Sequence, residues 1–327
     1  MSISILALVW VGLDVSKDKL DAAIWLGGKR YVSRVFDNDA EGLAKLAAWA
    51  KRQSGGGELR FCMESTGDYH THGALYLTEM GFYVAVVNPA RIKHFGRELG
   101  RQTKTDKADA RLIAQFGVER EPAAWPMKDP ARRTLLRLAR RRGQVQQMIS
   151  RERCHRECPE AIGELCMASI GRLLKELRAE LRRVEQAIRD LIQGDARLRR
   201  DRALLASIPG LGEPSMFTIL AEMPPVEDAE TAASYAASTG VQSTWKNSGS
   251  KQSATAPMSR AGRRQVRRAL FMTAFVLRRK IPQLASLYHR LRERGRKHRQ
   301  ALVACLRKLL MIVYGVLKGQ TRYEART

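Results

Sequence analysis

Four acidic residues stand where carboxylates can do chemistry. Asp106 and Asp109 lie in the run Thr103-Lys104-Thr105-Asp106-Lys107-Ala108-Asp109-Ala110-Arg111. The alanines there, with Leu112 and Ile113 beyond, favour a helix capped by Thr105, and residues three apart on a helix share a face. Two carboxylates side by side repel unless cations neutralise them. Lys104, Lys107 and Arg111 can do so, which makes a solvated, salt-bridged helix start one reading; a divalent metal is the other. Asp14, inside an apolar strand-like run, and Glu64, at the end of a second, tip the balance, because a lone carboxylate is costly to bury unless paired or metal-bound. Two acids from strands and two from one helical turn offer the hard oxygen ligands that Mg2+ or Mn2+ takes. Two such ions about 4 Å apart can activate a nucleophile and stabilise the leaving oxygen in phosphoryl transfer.

The frame for these acids can be traced along the chain. Leu6–Val15 is short, apolar and β-branched, as in a buried strand. Lys19–Leu26 and Tyr31–Phe36 follow, and Gly27-Gly28 between them marks a hairpin. Ala40–Lys51 predicts a helix with Leu43, Leu46, Ala47 and Ala50 on one face, ended by Gly55-Gly56-Gly57. Leu59–Met63 is a strand delivering Glu64, Gly73–Met80 a helix, and Tyr83–Val87 a strand stopped by Asn88-Pro89. The order β-β-β-α-β-α-β-α predicts an α/β domain whose mixed sheet has helices on its faces.

After Pro122 and Pro126 the composition changes to long helices dense in Arg and Leu. Ile170, Leu174, Leu177, Leu181, Val184, Ile188 and Leu191 alternate in steps of four and three, a heptad seam. Such a helix either pairs with a partner chain or folds back on the helix around Leu135–Met148; Arg and Glu flanking the seam favour a coiled coil in self-association. Ile208-Pro209-Gly210-Leu211-Gly212 separates two apolar helical segments, as in a helix-hairpin-helix whose turn amides face a phosphate. An ordinary corner between helices has the same pattern. Residues 238–259 are a Ser/Thr/Gly-rich loop. The helix after it carries Arg260, Arg263, Arg264, Arg267 and Arg268, a density that repels itself without a polyanion beside it. Ala301–Leu317, interrupted by Arg307 and Lys308, reads as a buried helix and not a membrane span. Cys154, His155, Cys158 and Cys166 match no standard zinc spacing.

The 327 residues carry a formal charge of +25. Residues 1–128 hold 18 Lys and Arg against 15 Asp and Glu, the remainder 40 against 18. A nearly neutral first part with acidic clusters, joined to a strongly basic second part, suits a catalytic domain attached to nucleic-acid grips. Five cysteines without regular spacing and no secretory pattern point to a soluble, cytoplasmic chain with no membrane partner. Three regions are expected: 1–122 catalytic, 123–200 a helical coiled-coil region for oligomerisation, and 201–327 a basic helical domain.

Several pieces, in order over nearly the whole chain, resemble the transposases of the insertion-sequence-110 family. They are Val11-Gly-Leu-Asp14-Val-Ser-Lys, Met63-Glu64-Ser-Thr-Gly, Asn88-Pro89, Lys104-Thr-Asp106-Lys-Ala-Asp109-Ala-Arg, Ile208-Pro-Gly-Leu-Gly, Ser248-Gly, Met258-Ser-Arg-Ala-Gly and Arg267-Arg-Ala-Leu. The resemblance implies an RNase H-like, RuvC-like first domain with a DEDD carboxylate set: Asp14, Glu64, Asp106 and Asp109, binding Mg2+ or Mn2+. It implies a C-terminal domain with a nucleophilic serine, matched by Ser248, and a bacterial recombinase guided by an RNA from the element's non-coding end. Donor and target double-stranded DNA, the guide (bridge) RNA and a homo-oligomer, dimer or tetramer, are the implied partners. Lys104, Lys107, Arg111, Lys246, Arg260, Arg263, Arg264 and Arg267 are the expected nucleic-acid contacts. One departure stands out: the family's Thr-Pro after the glycine matching Gly240 is replaced by Gln242-Ser243, which leaves Ser243, Ser250 and Ser253 as rivals to Ser248. The alternative activity is a RuvC-like, structure-selective endonuclease with water as nucleophile.

Overall fold

A computed structural model describes residues 8–65, 69–100, 106–126, 129–156, 163–241 and 262–325. The chain divides into two units, Met1–Met127 and Lys128–Thr327. Lys104, Thr105, Lys246, Ser248 and Arg260 lie outside the described residues, as do the side chains of Asp106 and Lys107.

The first unit is a mixed sheet covered by helices on both faces, as the alternation of apolar runs predicts. Its strands are β1 (Val9–Val15), β2 (Lys19–Trp25), β3 (Tyr31–Asp37), β4 (Leu59–Glu64) and β5 (Tyr83–Val87). They lie in the order β3-β2-β1-β4-β5. β1, β2 and β3 form an antiparallel meander, while β4 and β5 run parallel to β1. Side chains alternate between the faces with period two. Val11, Leu13, Val15, Phe61 and Met63 point to one face, packed with Leu43, Leu46 and Leu77 of α1 (Ala40–Gln53) and α2 (Tyr69–Glu79). Trp10 and Cys62 point to the other, against Ile92 and Phe95 of α3 (Pro89–Glu98) and Ile113 and Phe116 of α4 (Asp106–Arg120).

α3 corrects one expectation. Asn88-Pro89 does not merely stop β5. The Asn88 side chain accepts a hydrogen bond from the Ala90 N–H at 2.9 Å, and Pro89 occupies the first turn. Asparagine as N-cap followed by proline is a helix start, because proline lacks only an N–H that would go unpaired there. The segment was too short and too basic for its apolar stripe to be seen beforehand.

The second unit is all helix: α5 (Pro130–His155), α6 (Glu164–Gly194), α7 (Ala196–Ala206), α8 (Glu213–Glu222), a 3-10 turn at Val226–Asp228, α9 (Ala232–Ala237), α10 (Arg264–Leu277), α11 (Pro282–Glu293) and α12 (His298–Gly319). The heptad seam of α6 meets α5 of the same chain, the second of its two alternatives. Leu174, with Ile170, Leu177 and Leu181, packs on Val145 and Ile149, and Val184 and Ile188 join the cluster that holds Leu135. Arg142 on α5 adds an ion pair to Glu185 on α6 at 2.9 Å. The two helices are antiparallel, since Arg142 pairs with Glu185 while the later Ile149 packs with the earlier Leu174.

α12 is long and apolar enough to cross a membrane by length and composition. Ala301, Leu302, Cys305, Leu309, Leu310 and Val313 are buried in the unit's main cluster, beside Leu270, Leu277 and Leu284. It is the core helix on which α9, α10 and α11 pack. The turn at Gly210 is a closely packed corner: φ is +81°, and a Cβ there would meet Lys280 Cδ at 2.6 Å and Leu277 Cδ2 at 2.9 Å.

Candidate active site

Strand register brings Asp14 and Glu64 together. β1 and β4 are parallel with Leu13 opposite Met63, so the next residues, Asp14 and Glu64, are neighbours on adjacent strands, whose backbones run about 4.8 Å apart. Both are half-buried. Both also point to the α4 face, because Trp10 and Cys62, an even number of residues earlier, do so.

α4 lies over the same sheet face. A Cβ on Gly117 would come within 2.9 Å of the Trp10 ring, and one on Gly12 would lie 2.2 Å from the Ala114 nitrogen and 2.3 Å from the Ala110 carbonyl oxygen. The helix therefore runs antiparallel to β1, directly over its even-numbered residues. Trp10 to Asp14 spans about 13 Å of strand, which about nine residues of helix cover. Counting back from Gly117, the first turn of α4 comes over Asp14. Asp109 lies one turn before Ile113, on the stripe that Ile113 and Phe116 turn toward β4 and β5. Gly12 is the enabling residue: any side chain there holds the helix away from the strand that carries Asp14.

A fifth carboxylate sits beside this set. Asp21 on β2 is paired in register with Asp14, on the same face, and is 7% exposed. Its cation is Lys19, with Nζ to Oδ2 at 3.9 Å. In the sequence Asp21 looks like the polar half of an alternating strand; only the pairing register shows that it adjoins Asp14. Among the described residues no group of three His, Cys, Asp or Glu side chains is close enough to hold a metal ion, and the Asp106 side chain lies outside them. The donor chemistry fits a hard divalent cation: carboxylates on one sheet face and one helix start, with no soft sulfur ligand. The Cys62 thiol on that face is buried in apolar contacts, and its pKa is pushed up to about 12, so it stays protonated.

The predicted basic residues divide. Arg111 reaches toward the edge strand β3, donating from Nε to Ser33 Oγ at 3.4 Å and standing over the Tyr31 ring at 5.3 Å. In the second unit Arg264 is exposed. Arg267 donates from Nη1 to the carbonyl of Thr239, a fully buried residue. Arg263 is partly enclosed, and burial lowers its pKa from the ordinary value even though Glu222 and Tyr235 are near.

Two family matches establish a DNA-acting enzyme of the transposase class. The "Transposase" model of the DEDD IS110 type matches residues 11–157, and "Transposase IS116/IS110/IS902 family" matches residues 202–289. The chain belongs to the IS110 family of transposases. It is 26% identical over 322 residues to the pilin gene-inverting proteins of Moraxella bovis and Moraxella lacunata, covering 97% of this chain and 98% of theirs. It is also 29% identical over 164 residues to an uncharacterized insertion element IS110 protein of Streptomyces coelicolor, covering 50% of this chain and 39% of that one. Among solved structures, Thermus thermophilus RuvC aligns over 36% of this chain and 98% of its own at 16% identity, with a TM-score of 0.26.

Proposed function

We propose that this transposase is a recombinase that cuts and rejoins DNA through a serine–phosphate intermediate. The observation that carries the reading is the meeting of Asp14 and Glu64 under the first turn of α4. Asp14, Glu64, Asp106 and Asp109 would hold Mg2+ or Mn2+, which when bound supplies Lewis-acid stabilisation to the phosphoryl centre. The Ser248 Oγ attacks the scissile phosphorus, its proton passes to water, the P–O bond to the sugar breaks, and the departing sugar oxygen takes up a proton. One phosphodiester is exchanged for another, so the bond energy is conserved and the reverse attack by a sugar hydroxyl rejoins the strand without a nucleotide cofactor. Lys246, Arg260 and Arg263 would offset the charge that gathers on the pentavalent phosphorus.

The full-length likeness to proteins named for inverting a pilin gene supports cut-and-rejoin chemistry, because inversion needs as many junctions sealed as opened. The family likeness further implies a guide RNA from the element, a multimeric assembly on donor and target DNA, and action in the bacterial cytoplasm. Ser248→Ala is the decisive variant. Strand exchange and the covalent protein–DNA adduct, seen as a shifted band on a denaturing gel, both disappear if the serine is the nucleophile. Cleavage that persists in Ser248→Ala identifies a water-using endonuclease instead. Sequencing of RNA that co-purifies with the protein tests the guide: a single element-derived species is expected, and its absence removes RNA guidance while leaving the recombinase.

A further inference from the structure

The second unit contains a cleft that neither the acids nor the serine explains. α5, α8 and α10 enclose a cavity of about 350 Å³ lined by Arg140, Arg142, Gln147, Glu222, Gln265 and Arg268, among others. The volume is at the small end of ligand sites, room for a phosphate and its sugar and not for a stack of bases.

Its charges do not balance. Glu222, 6% exposed, is the one carboxylate in the lining. It accepts from Arg140 Nε at 3.4 Å, and it also lies in the field of Arg263, which Arg132 and Arg140 approach as well. Burial lowers the pKa of both Arg132 and Arg263. Arg142 is met by Glu185 at 2.9 Å, while Arg268 opens to solvent at the rim. The lining thus carries three guanidinium groups, Arg140, Arg142 and Arg268, against the one carboxylate of Glu222, a local positive surplus that an anion in the cleft offsets. Their planar forks suit the paired oxygens of a phosphodiester. Gln147 and Gln265 add donors and acceptors for the uncharged sugar oxygens.

The position matters as well. Arg263, at the N-terminal end of α10, donates its N–H to the Ser238 carbonyl at 3.4 Å. A Cβ on Gly262 would lie 2.6 Å from that oxygen and 2.7 Å from the Gly240 nitrogen. The two chain ends that flank residues 242–261 are thus joined beside the helix that forms one wall of the cleft.

We propose that this cleft seats one phosphodiester of a DNA strand between Arg140, Arg142 and Arg268, beside the N-terminal end of α10. The inference rests on reading the chain as a DNA-acting recombinase and adds the place where the strand is held. The test measures binding of a fluorescein-labelled DNA duplex to the full chain by anisotropy over a range of salt, without divalent metal, so that it stands apart from catalysis. Arg268→Glu is expected to weaken binding at least about tenfold and to reduce the slope of log affinity against log salt by about one or more. Lys318→Glu, an equal change of net charge at an exposed site on α12, is expected to leave affinity within about twofold. Equal loss in both variants, or loss of RNA binding with DNA binding intact in Arg268→Glu, overturns the proposal. Asp14→Asn serves as the partner control: normal binding with lost cleavage upholds both readings. Normal cleavage in that variant sinks the carboxylate reading while the Arg268 result still decides the cleft.

Discussion

The two units handle charge in opposite ways. In the first, the candidate acids of the sheet lie on one face, where parallel and antiparallel pairing place Asp14 next to Glu64 and Asp21. In the second, the basic residues are spread over helix surfaces, and much of the charge in α5 to α8 is consumed internally. Arg189 and Arg202 share Glu213 at 2.8 and 3.1 Å, and Arg197 meets Glu227 at 2.8 Å. From Arg263 to Arg299 the balance changes: 13 Lys and Arg stand against one acid, Glu293. The lesson is that a net charge does not locate a polyanion grip. Several arginines of α6 to α8 serve the fold, whereas the cleft beside α5 and the stretch from Arg263 to Arg299 hold the surplus that a nucleic acid can meet.

The contrast can be broken at its strongest point first. Asp14→Asn keeps size and hydrogen bonding but removes the charge that the sheet face collects, and metal-clamp stabilisation of several kcal/mol makes a loss of about a thousandfold in cleavage the expectation. Unchanged thermal stability alongside that loss shows a chemical role; a cleavage rate within a few-fold of the parent removes the carboxylate site altogether.

Ile188→Ala probes the second unit. Ile188 is fully buried in the seam against α5, so truncation is expected to destabilise by about 2–5 kcal/mol in urea unfolding. A much smaller loss that depends on protein concentration means that the seam serves a partner chain instead. Gly12→Ala tests how closely α4 must approach β1. Forcing a methyl against the Ala110 and Ala114 backbone costs about 1–3 kcal/mol and displaces the helix that carries Asp106 and Asp109. Activity is therefore expected to fall more than stability, and preserved activity contradicts the placement of α4 over Asp14.

The smallest effect concerns the internal ion pairs. The hydrogen bond from Arg189, followed by that from Arg202, holds the Glu213 pKa below its ordinary 4.5 despite partial burial. Its contribution is complete above that unfolded value and is lost as pH falls through the lower folded one. Glu213→Gln is expected to remove about 1 kcal/mol near neutrality and to flatten the acid side of the melting-temperature profile. An unaltered profile shows that α6, α7 and α8 are held by their apolar faces alone.

The strands of the first unit and their apolar faces could be read from residue order, since β-branched runs of the right length between glycine turns leave few alternatives. Asp14 and Glu64 were visible as isolated carboxylates in such runs. α3 was not, because its start depends on a cap and a proline that also mark the end of a strand. Asp21 and Gly12 were not, because their significance is a matter of which strand and which helix lie opposite. The cleft was hidden for a similar reason: Arg140, Glu222 and Arg268 come from three helices separated by tens of residues.

What the amino-acid order determined alone is local: hydrophobic period, turn chemistry, the identity of each carboxylate and the uneven charge. Tertiary structure decided which of those residues are neighbours, since register and helix packing act between segments far apart in the chain. Asp14 and Glu64 are fifty residues apart in sequence and side by side in the sheet because β1 and β4 pair in parallel. The α6 seam meets its own α5 because an apolar stripe is satisfied by the nearest complementary surface, and its spacing is the same whichever helix supplies that surface.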